Sequence, residues 1–472
     1  MPERVRADVV VVGAGPSGLA AAAQACADGA DVVLLDQAAR VGGAYWRHHP
    51  THVEGTADVP LHHDMATLRR LLHRVERADV RTEHSVWALE PTPDGRFLVR
   101  ATAGEVARRP VVVDAGAVVV ATGAFDRVSP FPGWTMPGVV TAGGAQALLK
   151  GSLVAPGGRV VVAGSGPLLL VVADGLLRSG VEVAAVAEAR HPTAYGLRPG
   201  AWSGLSARAG EAAAYLATLA RHRVPYLAGW DVVEVEGEGR VQRVTLGGAR
   251  GRTRHYDADA VLVSHGFTPQ VELLLQAGCR TRVDGDGSVV VEVDVGQRTS
   301  VPGLLATGEV TGVGGASLAL LEGYVAGRTL TGQPVDPAVH RRIAVHRRFA
   351  QAMHAVHGPR PDRVAALPDD EVVCRCEEVT AGRLRSACRD LGVDDVRSAK
   401  LTTRAGMGLC QGRVCGRAVA DLVAAESGRP ADPAELARAV SRTPALPVPL
   451  AVLAAGDDRP GDDAGPAGGR DR

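Results

Sequence analysis

Apolar residues occur along this chain in short β-branched runs, each followed by a Gly-rich turn and then by a stretch of helix formers. Asp8 to Val12 reads DVVVV. An unbroken apolar run of that kind fits a strand covered on both faces. It ends at Gly13-Ala14-Gly15-Pro16-Ser17-Gly18. Helix formers follow from Ala20 to Ala27, Gly29 stops the helix, and DVVLLD makes a second strand ending in Asp36. The pattern returns in the middle of the chain. Arg159 to Ala163 predicts a strand, Gly164-Ser165-Gly166-Pro167-Leu168-Leu169 a turn, and the residues to about Ser179 a helix. VEVAAVAEA then predicts a strand that finishes near Glu188. Two βαβ units of this form predict an α/β fold with parallel sheets.

Later segments add to this plan. VVVATGAF, residues 118 to 125, is a strand running into Ala121-Thr122-Gly123. Residues 299 to 327 place a short strand, Gly303 to Thr307, before Gly308-Glu309. Gly312, Gly314 and Gly315 then open another helix. Ala338 to His357 predicts an exposed basic helix, loosening into a Pro- and Arg-containing linker. A new unit opens at Glu371 with VVCRCEEVT, and Thr380 is placed to cap a helix carrying Leu384, Ala387, Cys388 and Leu391 on one face. A second apolar helix, Ala418 to Ala425, follows Cys415. TPALPVPLAVLA is expected to lie as an extended strap, and the Gly-, Asp- and Pro-rich end to be disordered. The expected units are 1–125 with 286–335, an inserted 126–285, a helix and linker over 336–370, a cysteine-bearing 371–430, and a tail over 431–472.

Composition narrows the function. A chain of 472 residues has room for several compact units, and 52 basic residues against 52 acidic ones give no field that would draw nucleic acid. Gly166, Pro167 and Asp174 interrupt the longest apolar window, so no membrane span is expected. The N-terminal apolar run enters a Gly-Pro-Ser-Gly turn where a signal peptide would have a cleavage site. Seven cysteines, an odd number, do not make a secreted disulfide framework. A reducing cytoplasm is the expected setting.

The first loop is a full G-x-G-x-x-G with both strands, the helix and the terminal acid in place. Gly13 serves the tight turn, Gly15 lets backbone approach a pyrophosphate, and Gly18 lets helix and strand pack closely. Asp36 stands where a carboxylate holds a ribose hydroxyl pair. This pattern alone does not separate FAD from NAD. The late segment does, because Thr299, Gly303, Ala306, Gly308 and Glu309 resemble the T-x-x-x-G-[LI]-x-A-x-G-[DE] signature with which two-dinucleotide flavoproteins return to their FAD domain. Ala121-Thr122-Gly123 likewise resembles the strand end that closes their first FAD segment. The resemblance implies two Rossmann-like domains of the pyridine nucleotide-disulfide reductase kind. FAD would lie at Gly13, Gly15, Pro16, Ser17, Gly18, Asp36, Gly43, Ala121, Thr122, Gly123, Gly308 and Glu309.

The second loop departs from the pattern, since Leu169 replaces the third glycine. One reading is NAD(P)H binding at Gly164 and Gly166, with Glu188 disfavouring a 2′-phosphate; the other is a unit kept for packing after its cofactor site was lost. Both stay open. No thiol pair adjoins Gly42-Gly43, and Cys26 and Cys279 are expected in the core. His48, His49, His62 and His63 are expected in loops.

Four other cysteines arrive as two tight pairs, Cys374-x-Cys376 and Cys410-x4-Cys415. Zinc favours two to four residues within a pair, a disulfide is disfavoured by compartment, and an [2Fe-2S] cluster accommodates this spacing. Both pairs precede helix starts, where free N–H groups offset thiolate charge. Together with LTTRAGMGLCQGRVCG and the two helices, the pairs resemble the small helical BFD-like [2Fe-2S] domain. ATGAFDRVSPFPGWTMPGVVTAGGAQALLK, VVAGSGPLLL and TGEVTGVGGASLALLEG resemble the FAD-containing subunit of hydrogen cyanide synthase. They also resemble its relatives in opine oxidases and in heteromeric proline, hydroxyproline and sarcosine dehydrogenases. The resemblance implies FAD and a cluster on Cys374, Cys376, Cys410 and Cys415, relaying electrons from a second flavoprotein, the β subunit, that oxidises an amine or amino acid. A small ferredoxin-like subunit is a further partner it implies. A self-sufficient NAD(P)H-dependent reductase and a structural or sensing subunit with vestigial cofactor sites are the competing readings. No catalytic base is visible in the sequence.

Overall fold

The computed structural model describes residues 2–50, 61–62, 64–104, 108–195, 199–358, 360–429, 432–441 and 443–455. The expectations for His63 and for the end of the chain beyond residue 455 lie outside the described residues.

The Val run at the N-terminus forms the central strand Glu3–Val12, whose Val9 to Val12 are all buried. It pairs in parallel with Val32–Leu35 on one side and Arg109–Val120 on the other. Asp79–Arg81 extends the sheet beyond Val32–Leu35. The far half of Arg109–Val120 pairs with Leu304–Ala306, and its near half pairs antiparallel with Phe97–Ala103 and then His84–Pro91. The late strand thus completes the first sheet. The helix after it, Ala316–Leu330, lies on the first helix, Pro16–Ala27, at close range: a Cβ on Gly323 would stand 2.1 Å from Ser17 O.

A second sheet is parallel throughout, in the order Tyr226–Ala228, Glu182–Glu188, Arg159–Gly164, Ala260–Ser264, Val139–Thr141. Both sheets therefore have a strand whose C-terminal end opens between neighbours, the place where open α/β sheets bind ligands. The chain crosses between the two units on a ribbon, Ala124–Asp126 antiparallel to Phe267–Pro269. The return to the first unit comes earlier than the expected join at 285/286. Val271, Leu273 and Leu274 already pack in the first core, and the hairpin Thr281–Val283 with Val289–Val291 straddles that join.

The small third unit holds the ribbon Val372–Cys374 with Val379–Thr380 and helices Ala381–Leu391, Val396–Thr403 and Gly416–Glu426. Thr380 caps the first of these, accepting from Arg383 N–H at 3.3 Å. Leu384 and Ala387 are buried and Cys388 partly so, but Leu391 is 68% exposed, because the helix ends at Gly392 before that turn reaches the core. Val396–Thr403 was not anticipated, although Asp395 caps it through the Arg397 and Ser398 N–H groups.

Two further expectations fail. The basic helix, Pro337–His357, is not an exposed one: Phe349, Ala350, Ala352 and Val356 are buried, and Arg347 reaches the buried Glu322. The linker after it is fastened by Arg363, which binds Asp231 and Val232 O. The segment expected as tail also folds. Helix Pro433–Val440 lies in it, Ala445 N–H donates to Trp87 O at 2.8 Å, and the strap ends in a short helix, Leu450–Ala455, where extended chain was expected. Among the described residues no helix is long and apolar enough to cross a membrane.

Candidate redox site and its two nucleotide loops

The first loop is held by contacts that admit no side chain. Gly13 has φ +102°, and a Cβ there would stand 2.4 Å from Ala121 O on the neighbouring strand. At Gly18 it would stand 1.8 Å from Gly13 O, so this glycine sets the helix against the strand. Asp36 accepts the Ala14 N–H at 2.6 Å and the Ala38 N–H at 2.8 Å. It binds the loop's own backbone, and burial pushes its carboxyl up. Gly43 packs on Gly15, and Gly42 N–H donates to Ala14 O at 2.7 Å. Gly308 arrives against Ser17, where a Cβ would lie 2.6 Å from the hydroxyl oxygen. Glu309 accepts from Gly314 and Gly315 N–H at 3.1 and 3.0 Å, shaping the start of the late helix. Thr122 and Gly123 are clasped by Gln270, whose side chain donates to Thr122 O at 2.9 Å. The structure thus brings Gly13, Gly15, Gly18, Gly43, Ala121 and Gly308 together from distant parts of the chain. Trp46 Nε1 and Thr307 Oγ1 are buried beside them without a hydrogen-bond partner, polar atoms that a bound nucleotide can satisfy.

The second loop repeats the turn but not the opening. Its helix starts at Leu168, one position later than Pro16 in the first loop, and Leu169 turns into the core beside Val160, Val162 and Leu262. Glu188 accepts the Gly166 N–H at 2.9 Å and the Arg190 N–H at 3.0 Å. Over it stands His357, from the end of helix Pro337–His357. Its Nδ1 is 2.9 Å from Ser165 Oγ and 3.5 Å from Glu188, and its Nε2 meets the Tyr195 hydroxyl. The chain's own imidazole thus lies beside the carboxylate that ends the second strand of this unit.

The four cysteines of the two pairs come together although 34 residues separate Cys376 from Cys410. Cys374 meets Cys415, Cys376 meets Cys410, and Cys410 meets Cys415. Among the described residues no three His, Cys, Asp or Glu side chains converge as a site for a single ion; these sulfurs meet pairwise. The nearby Cys415 thiol holds Cys374 down to about 6 and Cys410 down to about 4. Gly406 N–H donates to Cys374 Sγ at 3.4 Å. All four line a cavity of about 190 Å3 with Phe131 and Trp134 of the middle unit on its opposite wall. Trp134 Nε1 donates to Val372 O at 2.6 Å, fixing that wall to the cysteine unit. This donor set fits an iron-sulfur cluster.

Residues 7–356 match the family described as pyridine nucleotide-disulphide oxidoreductase, and residues 372–425 match the BFD-like [2Fe-2S] binding domain. The chain belongs to the pyridine nucleotide-disulphide oxidoreductase family. The opine oxidase A subunit of Agrobacterium tumefaciens (strain Ach5) is 32% identical over 95% of this chain and 91% of its own length. The HcnB subunit of hydrogen cyanide synthase from Pseudomonas aeruginosa is 32% identical over 89% and 93%. Among solved structures, L-proline dehydrogenase from P. horikoshii shares the fold at 22% identity with a TM-score of 0.70, covering 96% of this chain and 80% of that one.

This oxidoreductase is FAD-dependent and carries FAD and an [2Fe-2S] cluster. The first loop and the cysteine cavity suit those groups. The family's name also implies a pyridine nucleotide; at the second loop His357 stands 2.9 Å from Ser165 Oγ and 3.5 Å from Glu188. Three residues that matter here escaped sequence reasoning. Tyr195 carried a weak signal, seven positions after Glu188 in the same connection; His357 and Gln270 carried none, since their contacts are 192 and 148 residues away. Cys26 and Cys279 are buried as expected, and His48, His49 and His62 lie outside helices and strands.

Proposed function

We propose that this chain is the electron-transfer subunit of a heteromeric amine or amino-acid dehydrogenase or oxidase. The observation that carries the proposal is at the second loop, where His357 stands 2.9 Å from Ser165 Oγ and 3.5 Å from Glu188. Electrons then reach the chain from another protein rather than from NAD(P)H. Three relatives support this by name: an opine oxidase A subunit, the HcnB subunit of a hydrogen cyanide synthase, and a sarcosine oxidase alpha subunit. The partner is a second flavoprotein subunit that oxidises the C–N bond, and a small ferredoxin-like subunit is a further associate. When bound, FAD supplies one- or two-electron chemistry and the cluster one-electron chemistry only. The chain's residues provide the frame: Gly13, Gly15, Gly18, Asp36, Gly308 and Glu309 shape the FAD crevice, and Cys374, Cys376, Cys410 and Cys415 hold the cluster beside Trp134.

The test is an anaerobic visible spectrum of the FAD- and iron-loaded chain. NADH or NADPH should leave both sets of bands unchanged, and the partner flavoprotein with its amine should bleach them. Prompt bleaching by NADH or NADPH alone would sink the proposal in favour of a self-sufficient reductase. Failure to retain flavin and iron would point instead to a structural or sensing subunit.

A further inference from the structure

Arg413, in the loop between Cys410 and Cys415, reaches out of the cysteine unit. It first folds back on its own turn, donating from Nη1 to Cys410 O at 3.2 Å, where the Arg413 N–H also arrives at 3.1 Å. Its Nε donates to Glu272 Oε1 at 3.0 Å and its Nη2 to Ala445 O. Glu272 opens the short helix Glu272–Gln276, whose Leu273 and Leu274 lie in the core of the first unit. Ala445 in turn gives its N–H to Trp87 O of that unit. One guanidinium therefore holds acceptors on three separate segments, which its planar fork of N–H groups allows and a single ammonium does not. The ion pair is withdrawn from water, with the Glu272 side chain 9% exposed and that of Arg413 18%, so separating the two charges is costly.

The same segment is fastened on its other side to the strand end that bears the FAD signature. Two residues before Glu272, Gln270 donates its N–H to Gly123 O at 3.0 Å and its side-chain amide to Thr122 O at 2.9 Å. The Thr122 hydroxyl donates to Gln270 O at 2.7 Å. Val271, between the two, is buried in the first core. Gln270, Val271 and Glu272 thus carry Thr122 and Gly123 on one side and the cysteine loop on the other, and close packing of the middle residue lets a displacement at one side be felt at the other.

We propose that Arg413 is a positioning residue: through Glu272 and Gln270 it sets the loop that bears Cys410 and Cys415, and the cluster with it, in a fixed place relative to Thr122 and Gly123. Supporting contacts of this kind orient the groups that hold a metal centre, and one-electron exchange with a flavin depends on where that centre stands. The inference rests on the reading of Cys410 and Cys415 as cluster ligands. It does not depend on which partner supplies the electrons.

The experiment is hydrogen–deuterium exchange, read by mass spectrometry, on the FAD-loaded full chain with and without its reconstituted cluster. In the wild type, assembling the cluster should slow exchange over 266–276 and 121–126 as well as over 404–416, by about fivefold, the worth of one hydrogen bond. Arg413→Gln should still take up iron and show cluster absorbance, but the slowing should stop at the cysteine unit. Glu272→Gln, changed at the far side of the tie, should behave likewise. Arg413→Lys keeps the charge opposite Glu272 and should restore the melting temperature without restoring the distant protection, which separates positioning from stability. The proposal is overturned if cluster assembly slows exchange only within 371–430 of the wild type, or if the distant protection survives in Arg413→Gln and Glu272→Gln alike. Full protection in Arg413→Lys would overturn it too, since charge alone would then suffice. If Arg413→Gln fails to fold, Glu272→Gln and Arg413→Lys still decide. A wild type that takes up no iron would overturn the reading of the cysteines, and this inference with it.

Discussion

Replacing His357 by alanine tests whether the chain's own helix is what keeps a dinucleotide out of the second loop. The imidazole makes two hydrogen bonds there, to Ser165 Oγ at 2.9 Å and to the Tyr195 hydroxyl. At about 1 kcal/mol net for each, the filled state is favoured over an open one by about 2 kcal/mol. A ligand that needs the open state has its apparent affinity reduced by that population factor, so removing the ring should tighten NADH binding by about thirtyfold. The assay is nicotinamide fluorescence on the FAD- and iron-loaded protein, which reads binding without turnover. Tyr195→Phe removes one of the two bonds and should give about a fivefold gain. Micromolar NADH binding by the wild type would refute the reasoning. Weak binding by wild type and both variants alike would refute His357 as the cause and shift attention to Leu169.

Other expectations concern the first site and the cysteines. Gly18→Ala would put a methyl 1.8 Å from Gly13 O; an overpacking cost of about 1–3 kcal/mol should appear as a loss in FAD affinity of about fivefold to 150-fold, and equal FAD retention would contradict it. Cys376→Ser should abolish cluster absorbance and lower iron content, whereas Cys388→Ser, whose thiol packs on the helix core, should retain both. Glu322 is fully buried, and burial pushes its carboxyl up to about 7 against the pull of Arg347 at 2.6 Å. Below pH about 4.5 the folded and unfolded chains both hold this proton. Between there and about 7 only the folded chain does, so stability falls as pH rises through that window. Glu322→Gln should remove on the order of 3 kcal/mol of that slope, and calorimetric melting curves that stay parallel with wild type from pH 4.5 to 8 would overturn the assignment.

The sequence by itself determined whatever depends on neighbours a few residues apart. Gly13, Gly15 and Gly18 work through one turn and the strand beside it, so their spacing disclosed the first nucleotide loop. Cys374-x-Cys376 and Cys410-x4-Cys415 disclosed two pairs of sulfurs that the fold brings to one cavity, and Thr380 disclosed a helix cap. The match of Thr299 through Glu309 to a known return segment also brought one long-range pairing within reach, that of the late strand with the first sheet. Only the tertiary structure decided what lies over these motifs. Residues 338 to 357 read as a basic exposed helix because Arg and His dominate their composition, yet Arg347 is drawn onto the buried Glu322 and His357 onto Ser165. Arg363 left an apparent linker for Asp231, and Ala445 carried an apparent tail back to Trp87. In each case a side chain or a backbone N–H found its partner more than 20 residues away. No local pattern encodes such a partner, because its position is set by how the sheets and helices stack once the core has formed.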